Sequence, residues 1–169
     1  FGGAWNDDGR SIAFDAAGNL FLSGQGAALD FGAGQVTPPQ FAGFIARLGP
    51  TGDLLWLHTM TASYSFINPT RITLSPAGEI AIAGQYFGDA TLGDGAVVLP
   101  AGGGLDAFVA RYGPDGTFRW AQRIAGAGLE LQNGATIDPA GRVIAVGLFD
   151  QADTIGSGPE AVTLTPHRA

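Results

Sequence analysis

One hairpin is written twice in this chain, and it limits the fold more than any other feature. The first copy runs from Phe44 to Trp56: Phe44-Ile45-Ala46-Arg47-Leu48-Gly49-Pro50-Thr51-Gly52-Asp53-Leu54-Leu55-Trp56. The second runs from Phe108 to Trp120, 64 residues later, and keeps the Phe, Ala, Arg, Gly, Pro, Gly and Trp positions. Self-similarity at a fixed long period signals a repeat architecture, in which each unit buries its apolar face against the next.

A second motif recurs three times, as Ile12–Gly24, Ile72–Gly84 and Ala135–Gly147. In each copy Asp or Ser (Asp15, Ser75, Asp138) opens a turn that a glycine closes (Gly18, Gly78, Gly141). The short acceptor side chain bonds backbone amides ahead of it, and the glycine supplies the positive φ a bulged hairpin loop needs. The Gly-Pro-x-Gly turns at 49–52 and 113–116 follow the same chemistry, with proline presetting φ. Short apolar runs flank every turn, and no stretch carries a helical period with caps. The fold class is therefore all-β, with propeller-type blades of four antiparallel strands per unit of 60 to 64 residues. Strands such as Ile80-Ala81-Ile82-Ala83 are apolar on both faces, as a sheet between two neighbours requires. The connections contain further apolar stretches, Val97–Leu99 and Val162–Leu164, which suit short additional strands.

The motif 44–56, the stretch Asp106-Ala107-Phe108-Val109-Ala110-Arg111 and Asp15-Ala16-Ala17-Gly18-Asn19-Leu20 resemble the bacterial seven-bladed β-propeller repeat family. The resemblance spans nearly the whole chain, with Ala42-Gly43 in the first copy where the second has Asp106-Ala107. It implies an exported or cell-surface bacterial protein, and it brings no catalytic motif with it. The register divides residues 1–169 into a single incomplete propeller domain of about two and a half blades. A half repeat covers 1–38, and full repeats cover 41–101 and 105–169. Closed propellers hold about four to eight blades. The chain is thus expected to be completed by other copies of itself or by the remainder of a longer chain.

Composition narrows the functional classes. The net charge of −7 and eight basic residues, all arginine, argue against a nucleic-acid surface. No cysteine is present, which excludes thiolate metal sites and cysteine nucleophiles. No apolar run reaches the roughly 18 residues of a membrane span. Charged residues are only 14% and glycines number 28, the mark of many tight turns rather than a charged face.

Candidate chemistry is sparse. Asp15, Asp115 and Asp138 sit beside turn glycines and read as turn caps, because each turn offers too few oxygens for calcium. Arg47 and Arg111 hold the same place on the same strand and read as contacts between blades, with an anion-binding ring as the alternative. Trp56 and Trp120 read as packing anchors whose indole N–H finds a local acceptor. His58 and His167 are the only histidines, and neither stands in a metal or triad spacing. No catalytic, cofactor-binding or metal residues are assigned, and no cofactor is expected. Trp5, beside Asn6, Asp7 and Asp8, is the one candidate ligand contact, for a glycan or a protein. The sequence thus reads as a noncatalytic scaffold or binding module acting through blade-end loops. The alternatives are a subunit that oligomerises or builds filaments through blade faces and edges, and an enzyme with a loop-borne site.

Overall fold

The computed structural model describes residues 7–32, 34–64, 66–155 and 161–166, with only the backbone of 131–133. Trp5 and His167 lie outside the described residues. Every regular element among those described is a β-strand. The first sheet contains β1 (Asp8–Phe14), β2 (Leu20–Gly26), β5 (Ala42–Leu48) and β6 (Leu54–Ala62), with β9 (Ala90–Leu92) and β10 (Val97–Leu99) added outside β6. The second contains β7 (Phe66–Leu74), β8 (Ile80–Phe87), β11 (Leu105–Tyr112) and β12 (Phe118–Gly126), with β15 (Asp153–Ile155) and β16 (Val162–Leu164) added outside β12. A third unit is a hairpin of β13 (Glu130–Ile137) and β14 (Val143–Phe149), and β3 (Leu29–Asp30) pairs with β4 (Gln35–Val36). All pairings are antiparallel, and none of the sheets closes into a barrel. The fold is a partial, propeller-like all-β stack.

The turns form where the chemistry demands. Asp15 Oδ1 accepts from the amides of Ala17 and Asn19, each at 2.9 Å, and Gly18 takes φ +81°. Asp138 accepts from Arg142 N–H at 2.8 Å, and Asp115 accepts from Thr117 N–H at 3.0 Å. These bonds favour the ionised carboxyl, and they hold all three below the usual aspartate range: the Asn19 side chain leads for Asp15, the Thr117 hydroxyl for Asp115 and the Arg142 amide for Asp138.

The sheets are phased differently from the sequence repeats. β6 does not pair with β7, the next long strand in sequence; it pairs with β9, through Thr61↔Thr91 and Ala62↔Ala90. β8 pairs instead with β11, across the boundary between repeats 41–101 and 105–169. The cause is the connection between β8 and β11. It folds back as the β9–β10 hairpin onto the outer edge of the previous sheet, then returns its chain beside β8. β15–β16 repeats this on β12, through Ile124↔Ile155 and Gly126↔Asp153. Each connection thereby covers an edge strand that would otherwise be unpaired, and residues 8–26 complete a four-stranded sheet with 42–62.

The sheets stack face to face. β7 packs across β1, β2 and β5, and β13 packs across β7, β8 and β11. The main core lies in the first junction, where Phe21, Ile45 and Met60 meet Ile72, Ile82, Phe108 and Tyr112. A smaller cluster of Leu22, Leu29, Phe31, Phe44 and Ala46 lies in the first unit. Glycine ends β2 and β8 cores for a packing reason. A Cβ on Gly84 would run into the Asn68 carbonyl oxygen and come within 2.7 Å of the Phe108 ring, whose strand pairs there.

Candidate functional site

The repeated arginines are the first residues to place. Arg47 bonds Asp15 Oδ2 at 3.1 Å in its own sheet and reaches the Pro114 carbonyl of the second sheet at 3.0 Å. Arg111 bonds Glu79 at 3.1 Å and the Gly141 carbonyl of the third unit at 2.9 Å. Each therefore ties its own turn to the next unit's turn. They contact carboxylates and carbonyls, as a structural link between blades does, and Arg47 also lies 5.2 Å from the Phe21 ring centre.

Trp56 packs at 6.0 Å from Phe21 and 5.1 Å from His58, but its buried Nε1 has no acceptor among the described residues, contrary to the sequence expectation. Packing, not hydrogen bonding, holds it. His58 does meet a carboxylate: Nδ1 stands 2.6 Å from Asp94 Oδ2. Its ring is held between Trp56 and Tyr112, and a Cβ on Gly116 would lie 2.8 Å from Nε2. The second ring nitrogen thus faces backbone, which leaves no room there for a reacting group. Asp94 itself takes φ 54°, between Gly93 and Gly95, at the tip of the β9–β10 hairpin.

The most unusual chemistry lies at the opposite end of the stack from the Asp/Ser turns, in the second junction. Asp106 on β11, Glu130 on β13 and Asp153 on β15 are at most 1% exposed. Their carboxyls stand against one another, with Glu130 between the two aspartates. Asp106 accepts the Gly102 N–H at 2.8 Å. Neither Glu130 nor Asp153 accepts a well-formed bond from a donor among the described residues. Burial raises all three above the usual carboxylate range; with the added bond and charge of Asp153, Glu130 is pushed up to about 8. The Arg123 charge draws Asp106 back toward ionisation, while Asp150 pushes Asp153 further up. Pushed up to about 8, Glu130 keeps its proton at neutral pH, between the two aspartates.

The repeat supplies an internal reference for this trio. The pairings that place Asp106, Glu130 and Asp153 place Ala42, Ile67 and Ala90 in the first unit and junction, all fully buried. The strand register is the same, and three acids stand where the first unit has three apolar side chains. The sequence sets Asp106 against Ala42, but it does not join Asp106 to Glu130 and Asp153. The signal was available only to an alignment that placed the connections on the previous sheet.

Glu130 and Asp153 also line an apolar cleft of about 310 Å³, with Ala107, Ile124, Ala145, Gly147, Phe149 and Leu164. A neighbouring hollow of about 200 Å³ shares Ile124, Ala145 and Ile155 and extends past Val109 and Trp120. The cleft lies between the second sheet and β14. In the first junction the corresponding space is filled by β11 and β12. Among the described residues no group of His, Asp and Glu can hold a metal ion, and no helix is long and apolar enough to cross a membrane. No family model matches the chain, and no curated protein matches it.

Proposed function

We propose that this chain is a noncatalytic scaffold or binding module of propeller-type blades, whose working surfaces are its two terminal blade faces. One observation supports it above the others. Positions that are buried between units are apolar and exposed on the outer units. Ile72 of β7 is 3% exposed, whereas its counterpart Ile12 on β1 is 61% exposed, with Phe14 beside it at 64%. Ala81 and Ala83 of β8 are buried, whereas their counterparts Ile144 and Val146 on β14 are half exposed or more. Exposed apolar faces of this kind mark protein interaction sites. The resemblance to bacterial exported propeller repeats adds a cell-surface or extracellular setting to the reading.

A second reading has its own support. The two exposed faces are opposite sides of the blade type, so contact between copies would join unlike surfaces. Such heterologous contacts build rings or open filaments. Sedimentation velocity over a concentration series, with imaging of the product, tests both. A discrete particle with a second protein, or a concentration-dependent assembly lost on Phe14→Asp with Val146→Asp, supports the scaffold. A chain that stays monomeric and takes up no partner refutes it.

A further inference from the structure

The loop that follows β6 presents an aromatic platform that the stack itself does not use. We propose that Tyr64 and Phe87, rimmed by Ser63 and Asp89, bind a neutral pyranose ring of a glycan. The site lies on loops in the middle of the chain, away from the terminal faces. Tyr64 is 70% exposed and Phe87 41%, and their ring centres stand 5.1 Å apart at 36°. One exposed ring is ordinary on a protein surface; two that pack on each other in water form a patch. The repeat shows that the blade does not need them. The strand register places Ala27, Phe87 and Asp150 at one position of the three units. In the third unit Asp150 Oδ1 accepts the Leu129 N–H at 3.0 Å, so a hydrogen bond closes the loop there. Gly128 takes the place of Tyr64.

The platform is held before any ligand arrives. The amide and the hydroxyl of Ser63 both donate to the Asp89 carbonyl, at 2.9 and 3.1 Å, and tie the loop to the corner between β8 and β9. Gly88 turns that corner at φ +78°, and a Cβ on it would come within 2.5 Å of the Tyr64 ring. The ring thus rests against bare backbone, and little freedom is lost when a ligand lands on it. The rim supplies the polar half of a sugar site. Asp89 Oδ1 accepts the Ala101 N–H at 2.9 Å, and its second oxygen has no hydrogen-bond partner among the described residues. An exposed carboxylate oxygen accepts strongly from a hydroxyl. The Ser63 hydroxyl has given its proton to Asp89 and can accept as well. A pyranose has an apolar face of C–H groups and a rim of hydroxyls. It can set that face on an aromatic ring, whose π cloud is negative, while its rim meets Asp89. The charge at the rim and the net charge of −7 select a neutral sugar over a uronate.

The test is affinity electrophoresis of the full chain in native gels holding laminarin, dextran, galactan or polygalacturonate. At least one neutral polysaccharide should retard the chain, and polygalacturonate should not. Tyr64→Ala should weaken that retention about tenfold, Tyr64→Phe should keep it, and Asp89→Asn should weaken it several-fold. Urea unfolding should show Tyr64→Ala as stable as the parent, because the ring is exposed. Saturation-transfer NMR with an oligosaccharide of the retained type should mark the C–H protons of one ring face. No retardation by any neutral polysaccharide overturns the site, and so does equal retardation of parent and Tyr64→Ala. Retention that is lost on Trp5→Ala and kept on Tyr64→Ala places the sugar elsewhere and also overturns it. Self-association that depends on Tyr64, with no sugar bound, assigns the platform to a protein contact and refutes the glycan. The terminal-face reading is tested at Phe14 and Val146, so neither result decides the other.

Discussion

Replacing Glu130 should change how stability depends on pH. The folded chain holds the Glu130 proton to about pH 8, whereas the unfolded chain releases it near its ordinary value of 4.5. Between those limits folding takes up a proton. Stability is therefore fully present below about 4.5 and is lost as pH rises through 8. Asp106 and Asp153 are raised by burial and add to the same slope. One pKa unit is worth about 1.4 kcal/mol. Because the cleft opens to solvent beside Glu130, screening reduces the effect of the shift to about 2 kcal/mol. Urea unfolding followed by tryptophan fluorescence at pH 5, 7 and 9 reads this directly, since Trp120 lines the hollow next to the cleft. The parent should lose about 2 kcal/mol from pH 5 to 9, and Glu130→Gln, of the same shape without a titrating proton, should lose less than half of that. The triple variant Asp106→Ala, Glu130→Ile, Asp153→Ala copies the first junction and should gain about 1–4 kcal/mol at pH 9, as removal of buried charges often does. A parent stability that is flat or rises between pH 5 and 9, or a Gln variant that keeps the full slope, would refute the reasoning.

Two further substitutions probe the stack itself. Arg111→Met should cost about 1 kcal/mol by thermal or urea unfolding, and Arg111→Lys should recover little, because one ammonium cannot span both Glu79 and the Gly141 carbonyl. Gly84→Ala should cost about 3 kcal/mol, since its Cβ meets the Asn68 carbonyl and the Phe108 ring in a sheet that cannot spread; Gln122→Ala, at an exposed position of β12, should be nearly neutral in the same assay.

The strand positions and turns were legible because their chemistry is local. Asp15, Gly18, Pro50 and Gly52 act on their own few residues, and the duplicated hairpins repeat that action. The pairing of strands was less legible. Periodicity identifies β8 and β11 as strands, yet nothing within either says that the connection between them crosses to β6 and returns. The role of Arg47 and Arg111 followed from their recurrence, and the structure added the partner carbonyls across the junction. The acid trio was hidden for the converse reason. Asp106, Glu130 and Asp153 lie on three elements spread over 48 residues, and each alone looks like a polar loop residue. Only the fold brings them together and shows that their counterparts are Ala42, Ile67 and Ala90. The expected acceptor for Trp56 failed because its ring is enclosed by Phe21 and His58, which present no oxygen to Nε1.

The central claim is that, among the described residues, the stack contains two sheets each built on four long strands and a third unit of two long strands. Hydrogen exchange resolved by residue over β8 and β14 of the free chain tests it most directly. Among the described residues β8 has a strand on both sides and β14 on one. The account predicts protection at every amide of β8, and alternating protected and fast-exchanging amides along β14. Uniform protection along β14, equal to that of β8, would contradict it.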